Sequence, residues 1–329
     1  MYSTSTQKKE WTFTAEQIVE KRKVANEKFR MKYANVITPT ELSMLMSVEE
    51  ELAMQRIVEE AALRFADDFT PHMWPSVKWT AFAFFKRLFL IWSTGEASPK
   101  FTLIACFYLA MKIDEFYVTI DEFVSNLKSG NRQQNAERIL KLEPEIMRVL
   151  DYNLTVHCPY RPFEGHLMEM KTKMLLLNFD LESIRGDAMQ FFQKCLQTDV
   201  LLMYPPSQIA LAAIYYGLNA QGKSVDILKD FLNKFLGIQE TESWAANSDV
   251  SVDHLVKLMN RVQIISDCVE NGVLNLPLEY RNSVQERSSA LTNMSSEWDR
   301  RRRDKWQADG GIGKMPGEAE EQAVDSDDD

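Results

Sequence analysis

The sequence predicts an all-α fold of two tandem five-helix units, with an extra helix at each end and a disordered acidic tail. Three observations predict it. Glycine and proline are scarce, twelve and eleven in 329 residues, too few turn formers for an all-β chain. Long stretches carry apolar residues at three- and four-residue steps, the period of an amphipathic helix. Two segments about 107 residues apart are apolar on every side, as a helix enclosed by other helices must be, so one unit occurs twice. The length suits two domains at ~100–200 residues each.

Residues 1–46 form an N-terminal segment whose helix is expected over about 14–33. Thr14, with Gln17 three residues on, has the form of a capping box. Ile18, Val24 and Phe29 are its few apolar points, so it should lie on the surface of something larger. The first unit spans 47–158. Ser47 and Glu50 offer a second capping box, ahead of Val48, Leu52, Ile57, Val58, Ala61, Ala62 and Phe65. After the breaker Thr70-Pro71 a helix starts near Ser76 with a core stripe of Trp79, Phe82, Phe85, Leu88 and Phe89, and Lys86 and Arg87 on another face. Ser98-Pro99 then places a cap and a first-turn proline before Leu103–Met111, the apolar hub. Helices over Ile120–Leu127 and about Gln133–Leu150 complete the five.

The second unit spans 159–275. An amphipathic helix over Ile184–Met203 precedes the second hub, Pro206-Ser207 leading into Ile209–Tyr216, and two helices follow near Val225–Leu236 and Val252–Val269. A weakly amphipathic helix is expected over 276–299. From 300 to 329 the chain lacks the apolar content to fold. That stretch holds Arg300–Arg303, Gly310, Gly311, Gly313 and an acidic end in which Ser326 is a candidate phosphorylation site. The arginine run has the composition of a nuclear-localisation patch, with a solvated run of charge as the plainer alternative.

Composition also bounds function. Net charge is −10, and seven acidic residues from Glu318 onward supply most of it, so a broadly basic nucleic-acid-binding face is not expected. Cys106, Cys158, Cys195 and Cys268 are scattered without a C-x-x-C pair, and the first residues lack the apolar stretch of a secretory signal, both of which suit a reducing compartment. The apolar runs are too short to span a bilayer. Four histidines (His72, His157, His166, His254) fall in no metal-ligand spacing. Asp67-Asp68 lacks the third aspartate of a magnesium motif, and no phosphate-binding glycine loop or nucleophile setting is present. No catalytic residue, cofactor or metal is expected.

Residue strings then add a resemblance. Val156-His157-Cys158-Pro159-Tyr160-Arg161-Pro162-Phe163-Glu164-Gly165, at the junction of the two units, resembles the linker of transcription-type members of the cyclin family. Met1-Tyr2, Ser5, Gln7-Lys8 and Trp11-Thr12-Phe13 resemble the start of such a cyclin. Leu109–Phe116 and Pro206–Leu211 are similar to its hub helices. The resemblance spans about 1–275 and implies two cyclin-type domains acting as a non-catalytic regulator of a cyclin-dependent kinase. The implied partners are a CDK-activating kinase, a third assembly-factor subunit and the transcription factor TFIIH, in the nucleus, with no membrane and no direct nucleic-acid contact.

By position, the resemblance implies that Lys112 reaches kinase backbone carbonyls and that Glu143 is its acidic partner, with Phe116 as an apolar contact on the same face. Taken alone, the three read as a helix-end lysine satisfying its own carbonyls, a solvated helix charge and a core aromatic. The substrate-docking patch of cell-cycle cyclins is matched by Met54-Gln55-Arg56-Ile57-Val58, a departure that argues against recruitment there. Rival readings are a cyclin of type C or K and a TFIIB-like double repeat on promoter DNA. The latter requires an N-terminal zinc ribbon, yet the first 105 residues contain no cysteine.

Overall fold

The computed structural model describes residues 2–175, 177–237 and 248–310. Among them every regular element is a helix. Besides short 3-10 turns at Tyr2–Thr4 and Leu181–Ile184, these are in chain order α1 (Thr6–Glu10), α2 (Ala15–Tyr33), α3 (Pro39–Leu42), α4 (Val48–Asp68), α5 (Pro75–Leu88), α6 (Pro99–Ile113), α7 (Ile120–Ser125) and α8 (Arg132–Val149). Then follow α9 (Tyr160–Lys173), α10 (Arg185–Leu196), α11 (Val200–Met203), α12 (Pro206–Ala220), α13 (Asp226–Phe235), α14 (Ser248–Gly272) and α15 (Leu278–Ala308).

The caps form as the spacing requires. Thr14 Oγ1 accepts the Gln17 N–H while Gln17 accepts the Thr14 N–H at 2.9 Å, and Ser47 and Glu50 do the same at the head of α4. Each reciprocal pair satisfies two orphan donors. The hub α6 is buried from Thr102 to Met111 apart from Ile104. Phe107 lies edge-on to both Phe65 and Phe82, geometry that adds to the area term. In the second unit α12 buries Ile209–Ile214 and packs on α9, α10 and α14. It comes so close to its neighbour that a Cβ on Gly217 would lie 2.9 Å from Ile184 Cβ and 3.0 Å from Ile184 O.

Three expectations need correction. The junction string is not all linker, because from Tyr160 onward it forms α9, with Phe163, Leu167 and Met170 buried at helical spacing. Proline is tolerated in a first turn, where its missing N–H is no loss. The helix expected over Ile184–Met203 breaks at 197–199 into α10 and α11. Lys86 and Arg87, on another face from the core stripe, are nonetheless buried, at 2% and 1% exposed. The tail begins later than residue 300, since α15 runs on to Ala308, with Arg301 on Glu41, Arg300 on Glu297 and Trp298 buried beside Tyr33. Gly311, Gly313, Ser326 and the acidic end lie outside the described residues.

The break before α11 places Asp199 where three elements meet. Arg22 of α2 binds it through two nitrogens at 2.8 and 2.9 Å, and Arg56 of α4 reaches it at 2.9 Å. Arg56 also binds Glu59 at 2.7 Å, and Glu59 takes the Lys86 ammonium of α5. Burial alone would raise the Asp199 carboxyl, but Arg56 and Arg22 outweigh it and hold the group well below the usual carboxylate range. Burial and then Arg56 press Lys86 down to about 8. Breaking one partner out of such a buried set typically costs ~3–5 kcal/mol, so this ionic knot fixes the N-terminal helix to both units.

The terminal helices share a smaller core of their own. Phe29 and Tyr33 of α2, Ala53 and Ile57 of α4, and Val284, Leu291 and Trp298 of α15 form it. The Tyr33 hydroxyl donates to Asp299 at 2.7 Å. Val24, expected to anchor α2, is 51% exposed, and Arg22 and Asn26 are buried instead. The first residues cross the junction as well. Gln7 accepts the His157 N–H at 2.7 Å, Asn153 donates to Glu10, Arg87 stacks on Trp11, and Phe13 N–H donates to Leu202 O at 2.8 Å.

Candidate functional site

The site lies where the hub helix of the first unit reaches the surface. The last turn of α6 carries a single basic residue, Lys112. Asp114 N–H closes on Ala110 O at 2.9 Å and Phe116 N–H on Met111 O at 2.8 Å, with Glu115 at φ 57° between them. A left-handed residue is the common way to end a helix, though glycine usually supplies it. The turn carries Phe116 inward, where it is 7% exposed and meets Trp74 edge-on at 5.2 Å. Trp74 itself stays half-exposed.

Glu143 arrives on α8. Asn131 caps that helix, and the buried stripe Asn135, Ile139, Glu143 and Ile146 sets the carboxylate on its inner face. There Lys112 Nζ donates to both carboxylate oxygens, at 2.6 and 2.8 Å. The Lys112 side chain is 47% exposed and the Glu143 side chain 9%. One turn earlier on α6, Tyr108 lays its ring 4.6 Å from the same Nζ. Pro144 has no N–H to give the carbonyl of Leu140, whose side chain is exposed, as are Ile113 and Tyr117.

The structure thus brings Lys112 and Glu143 together and places Phe116 in the core beneath Trp74. The exposed aromatic and aliphatic side chains around the pair, Trp74, Ile113, Tyr117 and Leu140, are not singled out by the sequence. For Ile113 and Tyr117 the advance signal is position, at or just past the end of a helix with no polar face of its own; Trp74 heads α5 and Leu140 lies within α8. An ammonium held by one carboxylate, with an N–H still open to solvent and apolar side chains alongside, can bind backbone carbonyls of a partner chain. Among the described residues no group of three or more His, Cys, Asp or Glu is placed to hold a metal ion, and no helix is long and apolar enough to cross a membrane.

In the same unit, Met54, Ile57 and Val58 line an open groove of about 730 Å³ with Phe65, Phe101 and Ile104. Arg56, in the stretch compared with the docking patch, points away into the ionic knot.

Comparison with known proteins decides the family. The model of the cyclin N-terminal domain matches residues 70–155 and that of the cyclin C-terminal domain residues 158–270. Cyclin-H of Xenopus laevis is 32% identical over 99% of this chain and 98% of its own length. The chain belongs to the cyclin family. Cyclin-H1-1 of Arabidopsis thaliana is 27% identical to this cyclin, over 80% of this chain and 82% of the relative. Among solved structures, a chain of the CAK complex from Chaetomium thermophilum bound to ATP-gamma-S superposes with a TM-score of 0.70 at 19% identity. It covers 96% of this chain and 98% of that one. A chain of the yeast TFIIK (Kin28/Ccl1/Tfb3) complex gives 0.59 at 23%, covering 82% and 100%. At these identities the structures bear on the fold, and both carry it through the pair of cyclin domains.

Proposed function

We propose that this cyclin is the non-catalytic regulatory subunit of a CDK-activating kinase, acting in cell-cycle control and RNA polymerase II transcription. The observation that carries the reading is kinship along the whole chain to a Cyclin-H, including both ends beyond the two domain models. The geometry at Lys112 fits it. A protein kinase holds ATP productively only when the lysine of its strand β3 pairs with the glutamate of its helix αC. A rigid face that binds the paired state more tightly shifts the population towards it, and a shift from 1% to 99% requires ~10⁴-fold preference. Lys112 with Glu143 supplies the polar centre of such a face, and Ile113, Leu140 and Trp74 its apolar surround. Nuclear location, association with TFIIH and a third assembly subunit belong to the same proposal.

Co-purification with a panel of cyclin-dependent kinases, followed by phosphotransfer assays, tests it. The expected result is activation confined to a CDK-activating kinase. Activation of none, or of an unrelated kinase alone, would sink the proposal.

A further inference from the structure

Lysine is a costly anchor for an interface, because its four-carbon stem loses much rotamer freedom when fixed. Side-chain ordering of this kind is charged against affinity at the moment of binding. In this cyclin the ordering is already done. The Lys112 ammonium has Glu143 on one side, through two short hydrogen bonds, and the Tyr108 ring at 4.6 Å on another. Tyr108 is itself locked, 6% exposed and packed at 5.3 Å against Phe123 of α7. The i, i+4 spacing on one helix makes the contact a product of α6 geometry.

Resting on the kinase-face reading above, we infer that Tyr108 is a positioning residue for kinase docking: its ring face and the Glu143 carboxylate together hold Lys112 in its binding pose before the kinase arrives. A cation over a ring face is drawn to the negative quadrupole, so the phenyl ring suffices and the hydroxyl is dispensable. The ring also leaves the ammonium one way out, towards solvent, where a partner's carbonyl would stand.

The test is a double-mutant cycle on the full chain, with affinity for the CDK-activating kinase as one readout. The other is the carbon-13 lysine spectrum of the free chain, in which Lys112→Met identifies the Lys112 signal. Tyr108→Leu is expected to weaken binding about fivefold, the usual scale of one cation–π contact, while Tyr108→Phe stays within about twofold of wild type. In the Lys112→Met background Tyr108→Leu should change nothing. The free chain should show the Lys112 methylene protons shifted by the ring current, in wild type and Tyr108→Phe but not in Tyr108→Leu.

Equal losses in both backgrounds would mean that Tyr108 acts through packing and would overturn the inference, as would an unshifted Lys112 signal. A shifted signal in a chain that captures no kinase would overturn the kinase-face reading and the docking role with it, while the ring contact stood.

Discussion

The two hub helices, α6 and α12, are the same device up to their last turn. Both are fifteen residues long, begin with proline, and bury ten and nine of those residues. They part at the C-terminal end. α6 finishes in Lys112, gripped by Glu143, and turns sharply at Glu115. α12, in the register 107 residues on, has Asn219 and no basic residue in its last turn, and leaves through Gly222 at φ 62°. The two hubs share the residues that pack and differ at the turn that reaches the surface. The core demands apolar side chains at both places, whereas the kinase face proposed above needs its anchor once.

The largest effect that can probe this division is on the fold that carries both units. Asp199→Ala should destabilise the chain by ~3–5 kcal/mol, because Arg22 and Arg56 lose their common buried partner. Thermal unfolding would show it. The sign with pH follows from the depressed carboxyl: the Asp199 contribution is present above the ordinary aspartate range and is lost as pH falls through the lowered value. The wild-type advantage over Asp199→Ala should therefore shrink in acid.

Next comes the binding end. Lys112→Ala should weaken kinase affinity by ~2–3 kcal/mol, as hot-spot truncations do, and cost ~1–2 kcal/mol of stability, because it leaves the largely buried Glu143 carboxylate without its partner. Adding Asn219→Lys in that background should restore nothing: Tyr215 precedes it by four residues as Tyr108 precedes Lys112, but Glu143, Ile113 and Leu140 stay with the first hub. Recovery of binding would break the comparison outright.

Gly217→Ala bears on the packing end. It should cost ~1–3 kcal/mol, the overpacking range, because the new methyl meets the Ile184 backbone. The register-equivalent residue of α6, Ala110, is already an alanine, so the penalty is peculiar to the second hub.

The smallest effect concerns Glu51, buried beside Ser93 and the segment around Asn26 without a cation. Burial raises its carboxyl. A raised acid contributes stability below its ordinary value and loses it as pH rises through the folded one. Glu51→Gln should thus gain ~0.5 kcal/mol at neutral pH, within the ordinary span of single substitutions, and the gain should vanish near pH 4, as paired melting curves would record.

Much of the fold was legible because its signals are local. The capping boxes at Thr14 and Ser47 and the all-apolar runs of α6 and α12 state their structure within a few residues. Long-range pairing is what hid the rest. Arg301 belongs to a helix because Glu41 waits 260 residues away, and Asp199 ends one because Arg22 and Arg56 converge on it. Lys86 and Arg87 fall off the apolar stripe, yet Glu59 and Trp11 cover them. At the site, Lys112 and Glu143 came from family resemblance, since 31 residues of separation give no hint of contact. Tyr108 was hidden among hub apolars, where an aromatic reads as core.

The crossing of the first residues over the junction has a consequence for how the chain is made. Gln7 leaves the ribosome 150 residues before His157, Arg22 leads Asp199 by 177, and Tyr33 leads Asp299 by 266. At ~5–20 residues per second, Gln7 alone waits on the order of ten seconds or more for its partner. The segment from Gln7 to Tyr33 is thus synthesised well before the partners that it packs against. Until Asp199 and α15 follow, the inner faces of α2 and α4 stand open to whatever in the cell binds unfinished chains.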